Sequence, residues 1–308
     1  MGSSSALEVV FLGTSGGVPT PDRGLSCIAI KRRGEVLLFD CGEGSQRQLL
    51  KAGIGFVKRM KVFITHLHGD HVLGLAGLLQ SMGLMGREEP LSVYGPRGLA
   101  RLIGAFKEAL GFELPYVVEA REVDEGVVCE GDGYRVEARR ADHSVPSLAY
   151  ALSEVERPGK FSPERAVELG VPKGPLWKAL QTGRAVEVGG RVVRPEDVLG
   201  PPRRGLKVVY SGDTTFAQSL VELSRGADLL IHEATFDDSL EQRALKEKHS
   251  TARQAATVAK LAEVKKLVLT HISPRYQDAS VLKRQAEEVF PDVEVAYDFL
   301  TLSLAYED

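Results

Sequence analysis

The 308-residue sequence predicts an α/β fold with mixed sheets, and two observations support this prediction. Short apolar runs that end in Gly, Asp or Thr alternate with amphipathic helical segments along much of the chain. Hairpin-like pairs of apolar runs also occur near residues 25–40 and 115–140, and a purely parallel sheet would not contain them. The composition, 43% hydrophobic and 26% charged, is typical of a globular protein.

Eight apolar runs are interpreted as strands, because each is short and is bounded by a turn or loop. They are LEVVFLGT, EVLLFDCG, KVFITH, LSVYG, YRVEARR, LKVVYSGD, DLLIHEAT and KLVLTH. Helical patterns are predicted between several of them, at residues 45–52, 72–86, 97–110, 216–223, 251–261 and 280–289. Ser250-Thr251 is a suitable N-cap for the fifth of these helices.

The segment 157–204 differs in composition from the rest of the chain. It contains ten Lys or Arg residues against five Asp or Glu, a local net charge of +5 in a chain whose total is −3. It is also rich in Pro and Gly and contains the only tryptophan, Trp177. A long insertion between two buried strands is usually functional, disordered, or both. We therefore predict a single domain over residues 1–308 with an inserted basic arm at residues 155–204.

Several bulk features exclude other classes of protein. The net charge of −3 and pI of about 6.2 do not indicate nucleic-acid binding by the whole chain. The sequence contains no run of about 18 apolar residues, so it does not predict a membrane span. The N-terminus MGSSSALEVV lacks the basic region and the following apolar core of a signal peptide. The three cysteines are odd in number and widely spaced, which fits a reducing cytoplasm better than a disulfide framework. We expect a cytoplasmic protein with no membrane partner.

Three of the seven histidines and one aspartate lie within residues 66–71, directly after the apolar run VFIT. His66 and His68 point to the same side of an extended chain. Gly69 permits a sharp turn, and Asp70 and His71 then begin the next helix. Nitrogen and carboxylate ligands suit zinc, with manganese or iron as alternatives. The segment therefore predicts a metal site at the end of a strand.

Three more strands end at a residue of ligand type: His143 after YRVEARRA, Asp213 after VVY, and His271 after LVLT. One histidine at a strand end is more often structural, but three such ends together with HxHxDH favour a metal site. Seven ligands are enough for two metals, which suit phosphate-ester hydrolysis. The predicted sets are His66, His68 and His143 for one metal and Asp70, His71 and His271 for the other, with Asp213 shared.

The HxHxDH motif, followed by distant His, Asp and His, resembles the signature of the metallo-β-lactamase superfamily. This resemblance implies an αββα sandwich of two mixed β-sheets flanked by helices, with the metals at one edge. It does not fix the substrate, because the superfamily contains thioester hydrolases, lactonases, nucleases and flavoproteins. Further stretches resemble the short form of the ribonuclease Z family over residues 7–306. They are FLGTSGGVPTPDRGLS, LLFDCGEGSQRQLL, VYGPRG, HEATF and KHS.

The family resemblance implies a zinc-dependent endoribonuclease that removes the 3′ trailer of precursor tRNA just after the discriminator nucleotide. The expected products are a 3′-hydroxyl on the tRNA and a 5′-phosphate on the trailer. Two Zn²⁺ per subunit are implied, with Mn²⁺ or another divalent metal as alternatives, and the short form is typically a homodimer. Asp70 is expected to ligate metal and accept a proton from the attacking water. Glu233 is expected to orient His249, which would protonate the leaving oxygen.

The same resemblance implies a role for the arm. Short-form members carry an arm with a Gly-Pro motif that binds tRNA away from the cut, and Gly174-Pro175 match this motif. A segment of net charge +5 can contact several phosphates without reading bases. On charge alone the alternative is a solvated surface loop. Trp177 could stack on a nucleotide, but the preferred interpretation is that it anchors the arm by docking.

Other residues near these motifs have two interpretations each. His232 precedes Glu233 on a strand, so it is expected to face the other way and to be structural. Asp40 is either an acceptor for the second N–H of a ligating histidine or a cap for the following turn. The glycines of GTSGG either form tight turns near the site or cradle a phosphate. Arg275 and Tyr276 could meet RNA near the cut.

Two alternative functions remain open at this point. The first is a small-molecule ester or phosphodiester hydrolase of the same superfamily, which would have no need of a basic insertion. The second is a non-catalytic RNA-binding protein with a decayed site. All seven ligand positions are filled, which argues against decay.

Overall fold

The structure is a computed structural model that describes residues 6–56 and 59–306, so the first five residues of the N-terminal segment considered for a signal peptide lie outside the described residues. The chain divides into two compact units. The larger unit contains the chain up to Ser153 and from Leu206 onward, and the smaller unit is Glu154–Gly205. Among the helices of the described chain, none has the length and apolar character that crossing a bilayer requires.

Within the described residues, the larger unit contains two seven-stranded sheets. The strands of the first sheet are β1 (Leu7–Gly13), β2 (Cys27–Arg32), β3 (Glu35–Phe39), β4 (Met60–Phe63), β5 (Leu91–Gly95), β6 (Val118–Glu122) and β16 (Thr301–Leu304). Their order is β16-β1-β2-β3-β4-β5-β6. Pairing is antiparallel from β16 to β3 and parallel from β3 to β6, so this sheet is mixed.

The second sheet is mixed as well. Its strands are β7 (Gly126–Gly131), β8 (Tyr134–Ala141), β9 (Ser147–Glu154), β12 (Lys207–Tyr210), β13 (Leu229–Glu233), β14 (Leu267–Thr270) and β15 (Val293–Val295). Their order is β15-β14-β13-β12-β9-β8-β7. Strands β12 to β15 are parallel, whereas β9 is antiparallel to β12 and β7 to β8.

Helices cover the outer face of each sheet. The helices of this unit are α1 (Ser45–Lys51), α2 (Gly69–Val72), α3 (Gly74–Leu84), α4 (Leu99–Leu110), α7 (Gln218–Ser224), α8 (Glu241–Glu247), α9 (Ala252–Leu261) and α10 (Ser280–Glu287). Alternate residues of β1 show the layering: Val9 and Phe11 belong to the core between the sheets, and Val10 and Leu12 to the core beneath the helices. A third apolar cluster joins the second sheet to α7, α9 and α10. The predicted αββα sandwich is confirmed.

The eight predicted strands are all present, and most predicted helices begin and end within two residues of the observed ones. The helix predicted at 72–86 is instead two helices, α2 and α3, which meet at Leu73. Thr251 caps α9 and forms a capping box with Gln254, as its position predicted. The hairpin near 25–40 is β2–β3, but the pair expected near 115–140 is only partly right. β6 joins the first sheet, and the hairpin is β7–β8.

Two of the elements that were not predicted, β9 and α8, show why prediction from local sequence fails. The sequence SLAYALSE of β9 is rich in Ala and Leu, which favour helices, yet pairing with β12 holds it as a strand. The second is α8, which lies between the HEATF and KHS motifs. Both elements depend on tertiary contacts that local periodicity does not reveal.

The smaller unit, Glu154–Gly205, has a core of its own. It contains α5 (Pro163–Glu168), α6 (Pro175–Gln181), the hairpin β10 (Val186–Val188) and β11 (Arg191–Val193), and a 3₁₀ turn at Pro195–Asp197. The Trp177 indole N–H donates to the Val171 carbonyl at 2.9 Å, and its ring lies 5.2 Å from that of Phe161. Trp177 is therefore a packing residue within this unit.

Candidate active site

The predicted metal ligands meet where strands of both sheets end. His66 and His68 follow β4, and Asp70 and His71 lie in α2. The remaining three, in the second sheet, are His143 after β8, Asp213 after β12 and His271 after β14. Parallel strands bring their carboxyl ends to one edge, which is where α/β sheets bind ligands. Six of the seven histidines of the chain lie at this edge.

Asp213 lies between two groups of ligand-type side chains. Its Oδ2 is 3.7 Å from His66 Nε2 and 3.3 Å from His271 Nε2, and its Oδ1 is 3.4 Å from His71 Nε2. Asp70 Oδ2 completes the second group, at 3.3 Å from His271 Nε2. The potential donor atoms lie within 4.8 Å of one another in each of the groups His66–His68–His143, His66–His71–Asp213 and Asp70–His71–His271.

Three donor atoms of this cluster are suited to a cation. His66 Nε2, His71 Nε2 and Asp213 Oδ1 are buried, and none has a hydrogen-bond partner among the described residues. Buried polar atoms are normally paired, because leaving them unpaired costs free energy. Three such atoms facing one centre therefore fit divalent metal ions, and the nitrogen and carboxylate donor set suits zinc.

Four of the five ligand-type histidines, all except His68, have their Nδ1 held by a neighbouring protein group. The Nδ1–H of His71 donates to Asp40 Oδ2 at 2.7 Å, and that of His143 donates to the Lys248 carbonyl at 2.8 Å. Further pairs of the same kind are His66 Nδ1 with Thr65 Oγ1 at 3.0 Å and His271 Nδ1 with Thr235 Oγ1 at 2.8 Å. These contacts fix the tautomer and leave each Nε2 facing the centre.

Charge in the cluster is distributed as a cation site requires. Burial lowers the pKa of His66 well below its ordinary value, and the neighbouring His71 lowers it further. Burial acts to raise the pKa of Asp213, but His271 and His71 hold it well below its usual range. His66 is therefore neutral and Asp213 ionised, which are the forms that bind metal.

Asp40 supports this cluster through its hydrogen bond with His71. It is buried, and its φ of +59° is rare for a residue other than glycine. Besides His71 it accepts hydrogen bonds from the Thr65 N–H at 2.7 Å and the Tyr210 hydroxyl at 2.8 Å. Of the two interpretations of Asp40, the structure supports the acceptor for a ligating histidine. The strained backbone places the carboxylate where His71 can reach it.

Glu233 and His249 form a buried pair beside Asp213. The His249 Nδ1–H donates to Glu233 Oε1 at 2.9 Å, and Glu233 also accepts from the Thr214 N–H at 2.8 Å. Burial acts to lower the pKa of His249, but the Glu233 carboxylate outweighs it and raises this pKa to about 9. A protonated imidazole that is partly open to solvent is suited to donate a proton.

His232 faces away from this pair. It is fully buried, and its Nδ1–H donates to the Glu233 carbonyl at 2.7 Å. The structure thus agrees with the prediction of a structural histidine.

The glycines of GTSGG bring the chain close to the site. A Cβ on Gly16 would lie 2.6 Å from the His271 ring, so only glycine fits there. The Gly17 N–H donates to Asp70 Oδ2 at 2.8 Å. These contacts favour a close turn over a phosphate cradle.

Arg275 and Tyr276 are engaged within the protein. The Arg275 guanidinium lies 4.9 Å from the centre of the Phe236 ring, and the Tyr276 hydroxyl donates to Asp237 Oδ2 at 2.7 Å. Arg275 is nevertheless exposed, so contact of these residues with RNA near the cut stays a prediction.

Some supporting residues could not have been predicted. Lys248 acts on His143 through its backbone carbonyl and has a left-handed φ of +59°. A carbonyl has no sequence signature, so only the fold reveals this contact. Thr235 lies within the HEATF motif and contacts both Glu233 and His271, so the motif itself was the available signal.

Two mixed sheets in an αββα sandwich, with a His/Asp cluster at one edge, define a metal-dependent hydrolase of the metallo-β-lactamase fold. One family model agrees with this class, because residues 188–272 match a beta-lactamase superfamily domain. Residues 7–153 match the family model of the anti-Pycsar protein Apyc1.

Similarity to known proteins narrows the class. The chain is 48% identical to ribonuclease Z of Methanosarcina acetivorans over 301 residues, covering 97% of this chain and 99% of that protein. It is also 48% identical to ribonuclease Z of Methanothermobacter thermautotrophicus, covering 98% of both. The crystal structure of human tRNase Z, short form, matches 96% of this chain and 99% of that chain, with a TM-score of 0.69 and 31% identity. The chain belongs to the ribonuclease Z family, short form.

Proposed function

We propose that this protein is an endoribonuclease that removes the 3′ trailer of precursor tRNA by hydrolysing the phosphodiester bond just after the discriminator nucleotide. The tRNA would keep a 3′-hydroxyl and the trailer a 5′-phosphate. The observation that carries the proposal is the convergence of six histidines and two aspartates, Asp70 and Asp213, in a chain similar to ribonuclease Z over almost its full length.

The seven ligand-type residues are proposed to hold two divalent ions, with Zn²⁺ favoured by the donor set. One ion would bind His66, His68 and His143, the other Asp70, His71 and His271, and Asp213 would be shared. When bound, such a pair of ions acidifies water and offsets the negative charge that develops around phosphorus. The three buried donor atoms without partners support this assignment.

Asp70 is proposed to orient the attacking water and to take its proton. Its Oδ2 accepts from the Gly17 N–H and lies near His71 and His271. Its Oδ1 makes no hydrogen bond with the described residues, so this atom is available to the water. Burial acts to raise the pKa of Asp70, but the hydrogen bond with His271 and the charge of His71 lower it, so the carboxylate is ionised.

His249 is proposed to protonate the leaving 3′-oxygen. The hydrogen bond from Nδ1 to Glu233 fixes the ring and leaves Nε2 as the nitrogen that can meet substrate. Glu233 is itself held by Thr214 and Thr235, so the pair has little freedom to rotate. A proton donor positioned in this way typically contributes about 10²–10⁴-fold to the rate.

The smaller unit is proposed to be an arm that binds tRNA away from the cut. Gly174 has φ 140° and ψ −140°, a conformation that favours glycine, and Pro175 begins α6. Both residues are exposed, as are Lys173 and Lys178 beside them. The net charge of +5 over residues 157–204 suits the phosphate backbone of RNA.

A homodimer and a cytoplasmic location complete the proposal. Leu84 and Met85, at the end of α3, are 88% and 73% exposed, as expected of side chains that a second subunit would cover. The three cysteines are buried and form no disulfide, which fits a reducing compartment. Sedimentation at several protein concentrations would test the dimer, and a monomer at all of them would exclude it.

A cleavage assay tests the main proposal. Purified protein is incubated with a precursor tRNA that has a short 3′ trailer without CCA, with zinc or with EDTA, and the product ends are mapped. We expect one metal-dependent cut after the discriminator that leaves a 3′-hydroxyl.

Metal-loaded protein that leaves this precursor intact, but hydrolyses small esters, would contradict the proposal. That result would favour the small-molecule hydrolase.

A further inference from the structure

A cavity of about 650 Å³ opens between the two sheets at the edge that holds the His/Asp cluster. Its walls come from the residues after β5, the end of β6, the end of β8 and the start of β9. Its volume lies within the range of about 300–1,000 Å³ that is typical of small-molecule sites. It can therefore accept a ligand of the size of a nucleotide, and the proposed catalytic residues do not use it.

The cavity lies next to the metal-ligand cluster. Ala141 and Pro146 line it, and the loop between them carries His143. Ser147, also in the wall, donates from Oγ to the Asp213 carbonyl at 3.3 Å. The N–H of Leu148, another wall residue, donates to the carbonyl of Thr65, the neighbour of His66, at 2.9 Å. The wall of the cavity and the cluster therefore share the loop that carries His143 and contacts to the segments that carry Asp213 and His66.

Arg97, in the VYGPRG motif, supplies the free positive charge of this cavity. The motif turns sharply at Gly98, whose φ is +104°. Glu122 Oε1 fixes the turn, because it accepts from the N–H groups of Gly98 at 2.9 Å and Ala100 at 3.2 Å. The cavity-lining Glu122 carboxylate is thus engaged by the N-terminus of α4.

Two other charged side chains of the cavity wall, Arg140 and Asp124, pair with each other. Arg140 donates from Nε to Asp124 Oδ1 at 2.7 Å, and a second contact joins the same pair. Arg97 is exposed and makes no hydrogen bond or ion pair with the described residues. An unpaired guanidinium beside a site of phosphodiester hydrolysis is suited to bind a phosphate.

The position of the proton donor indicates which part of the RNA reaches the cavity. In the second sheet, strand β12 lies between β13 and β14 on one side and β9 and β8 on the other. Asp213 follows β12. His249 pairs with Glu233 of β13, and its ring lies 5.4 Å from that of His271 after β14 and 5.1 Å from that of His143 after β8. The residues that line the cavity lie at or next to the ends of β5, β6, β8 and β9, and the segment that carries His249 contributes none of them. The leaving 3′-oxygen belongs to the discriminator nucleotide, so that nucleotide lies at His249, which is not part of the cavity wall. The RNA on the 3′ side of the cut then faces the cavity.

We propose that this cavity is the subsite for the first nucleotides of the 3′ trailer, and that Arg97 binds the phosphate between the first and second trailer nucleotides. The inference rests on the proposed function, and it assigns a substrate-binding role to the VYGPRG motif.

The test compares Arg97→Ala with Arg101→Ala, which removes an equally exposed arginine on α4 outside the cavity. Cleavage is measured on precursor tRNAs whose trailers have one nucleotide or five. The one-nucleotide trailer has no second phosphate. We expect Arg97→Ala to lower kcat/KM about tenfold on the five-nucleotide trailer, the scale of one hydrogen bond to a charged group. On the one-nucleotide trailer, and for Arg101→Ala on both, the change should stay within about twofold.

A second variant tests the cavity itself. Val123→Phe narrows it, and we expect a higher KM for both trailers while the inhibition constant of mature tRNA without a trailer is unchanged. Bound zinc and melting temperature are measured to confirm that the variant is folded. Weaker binding of mature tRNA would show that the cavity accepts the tRNA side of the cut, which would overturn the inference.

The remaining outcomes for Arg97→Ala are also decisive. An equal loss on both trailers, or no loss on either, would remove Arg97 from the proposed contact. Wild-type protein that cuts neither precursor would instead overturn the proposed function, and the subsite with it. Failure of the subsite proposal alone can thus be distinguished from failure of the proposed function, because wild-type protein would then still cleave both precursors.

Discussion

The His/Asp cluster of the larger unit and the Gly-Pro arm of the smaller unit are built in opposite ways. In the cluster His71 and His271 are buried, and each has its second ring nitrogen held by another side chain. In the arm Lys173 and Lys178 are exposed and form no ion pair with the described residues. Chemistry needs side chains held in fixed positions, whereas contact with a phosphate backbone needs charge. Substitutions in the cluster should therefore reduce turnover, and those in the arm should reduce affinity.

The largest effect is expected from Asp213→Asn. The shared carboxylate has an unpaired buried Oδ1, and an amide cannot replace its charge between two groups of histidines. We expect bound zinc to fall and kcat to drop by about 10³-fold or more. Elemental analysis and single-turnover cleavage measure the two quantities. Asp292→Asn, which removes an exposed carboxylate outside the cluster, is the matched control. Normal zinc content with normal kcat would show that Asp213 is not a ligand.

A smaller loss is expected from His249→Ala, because it removes the proposed proton donor and leaves the proposed metal ligands in place. kcat should fall by about 10²–10⁴-fold, while zinc content and the Kd for precursor stay the same. His232→Leu is the control, since His232 lies next to Glu233 in sequence but faces the helices. It should keep kcat within about twofold. Equal losses in binding and turnover for His249→Ala would exclude the role of general acid.

Asp40→Asn should have an intermediate effect that added zinc reverses. Asparagine tolerates the left-handed backbone at this position, but it gives His71 a weaker acceptor. Loss of such a supporting contact typically costs about 10–100-fold in metal affinity. Activity should therefore fall at low zinc and recover at high zinc. A loss that excess zinc does not restore, with zinc fully bound, would assign Asp40 a role other than positioning His71.

The sequence predicted which ligand-type side chains would lie together, because the signal is local. HxHxDH follows a buried strand, and His143, Asp213 and His271 each end a strand of their own. Strand ends are recognisable from apolar runs, and the fold then brings them to one edge. The pairing of Glu233 with His249 was implied by family resemblance and not by periodicity.

The supporting contacts were harder to predict, for a physical reason. His143 is held by the carbonyl of Lys248, and every residue has a carbonyl. The Arg97 cavity joins residues from β5, β6, β8 and β9, so no single stretch of sequence contains it. β9 itself was missed because its Ala and Leu residues favour a helix outside the sheet.

The smallest effect is expected in the arm, and it tests the comparison most directly. Lys173→Ala with Lys178→Ala removes two exposed charges beside Gly174-Pro175 and leaves the arm core intact. KM for precursor should rise several-fold with kcat unchanged. The slope of log affinity against log salt should shrink by about two, one for each lost phosphate contact. Lys260→Ala, an exposed lysine of α9, is the control. A lower kcat at saturating precursor would mean that the arm also affects the chemistry, and the contrast between the two regions would fail.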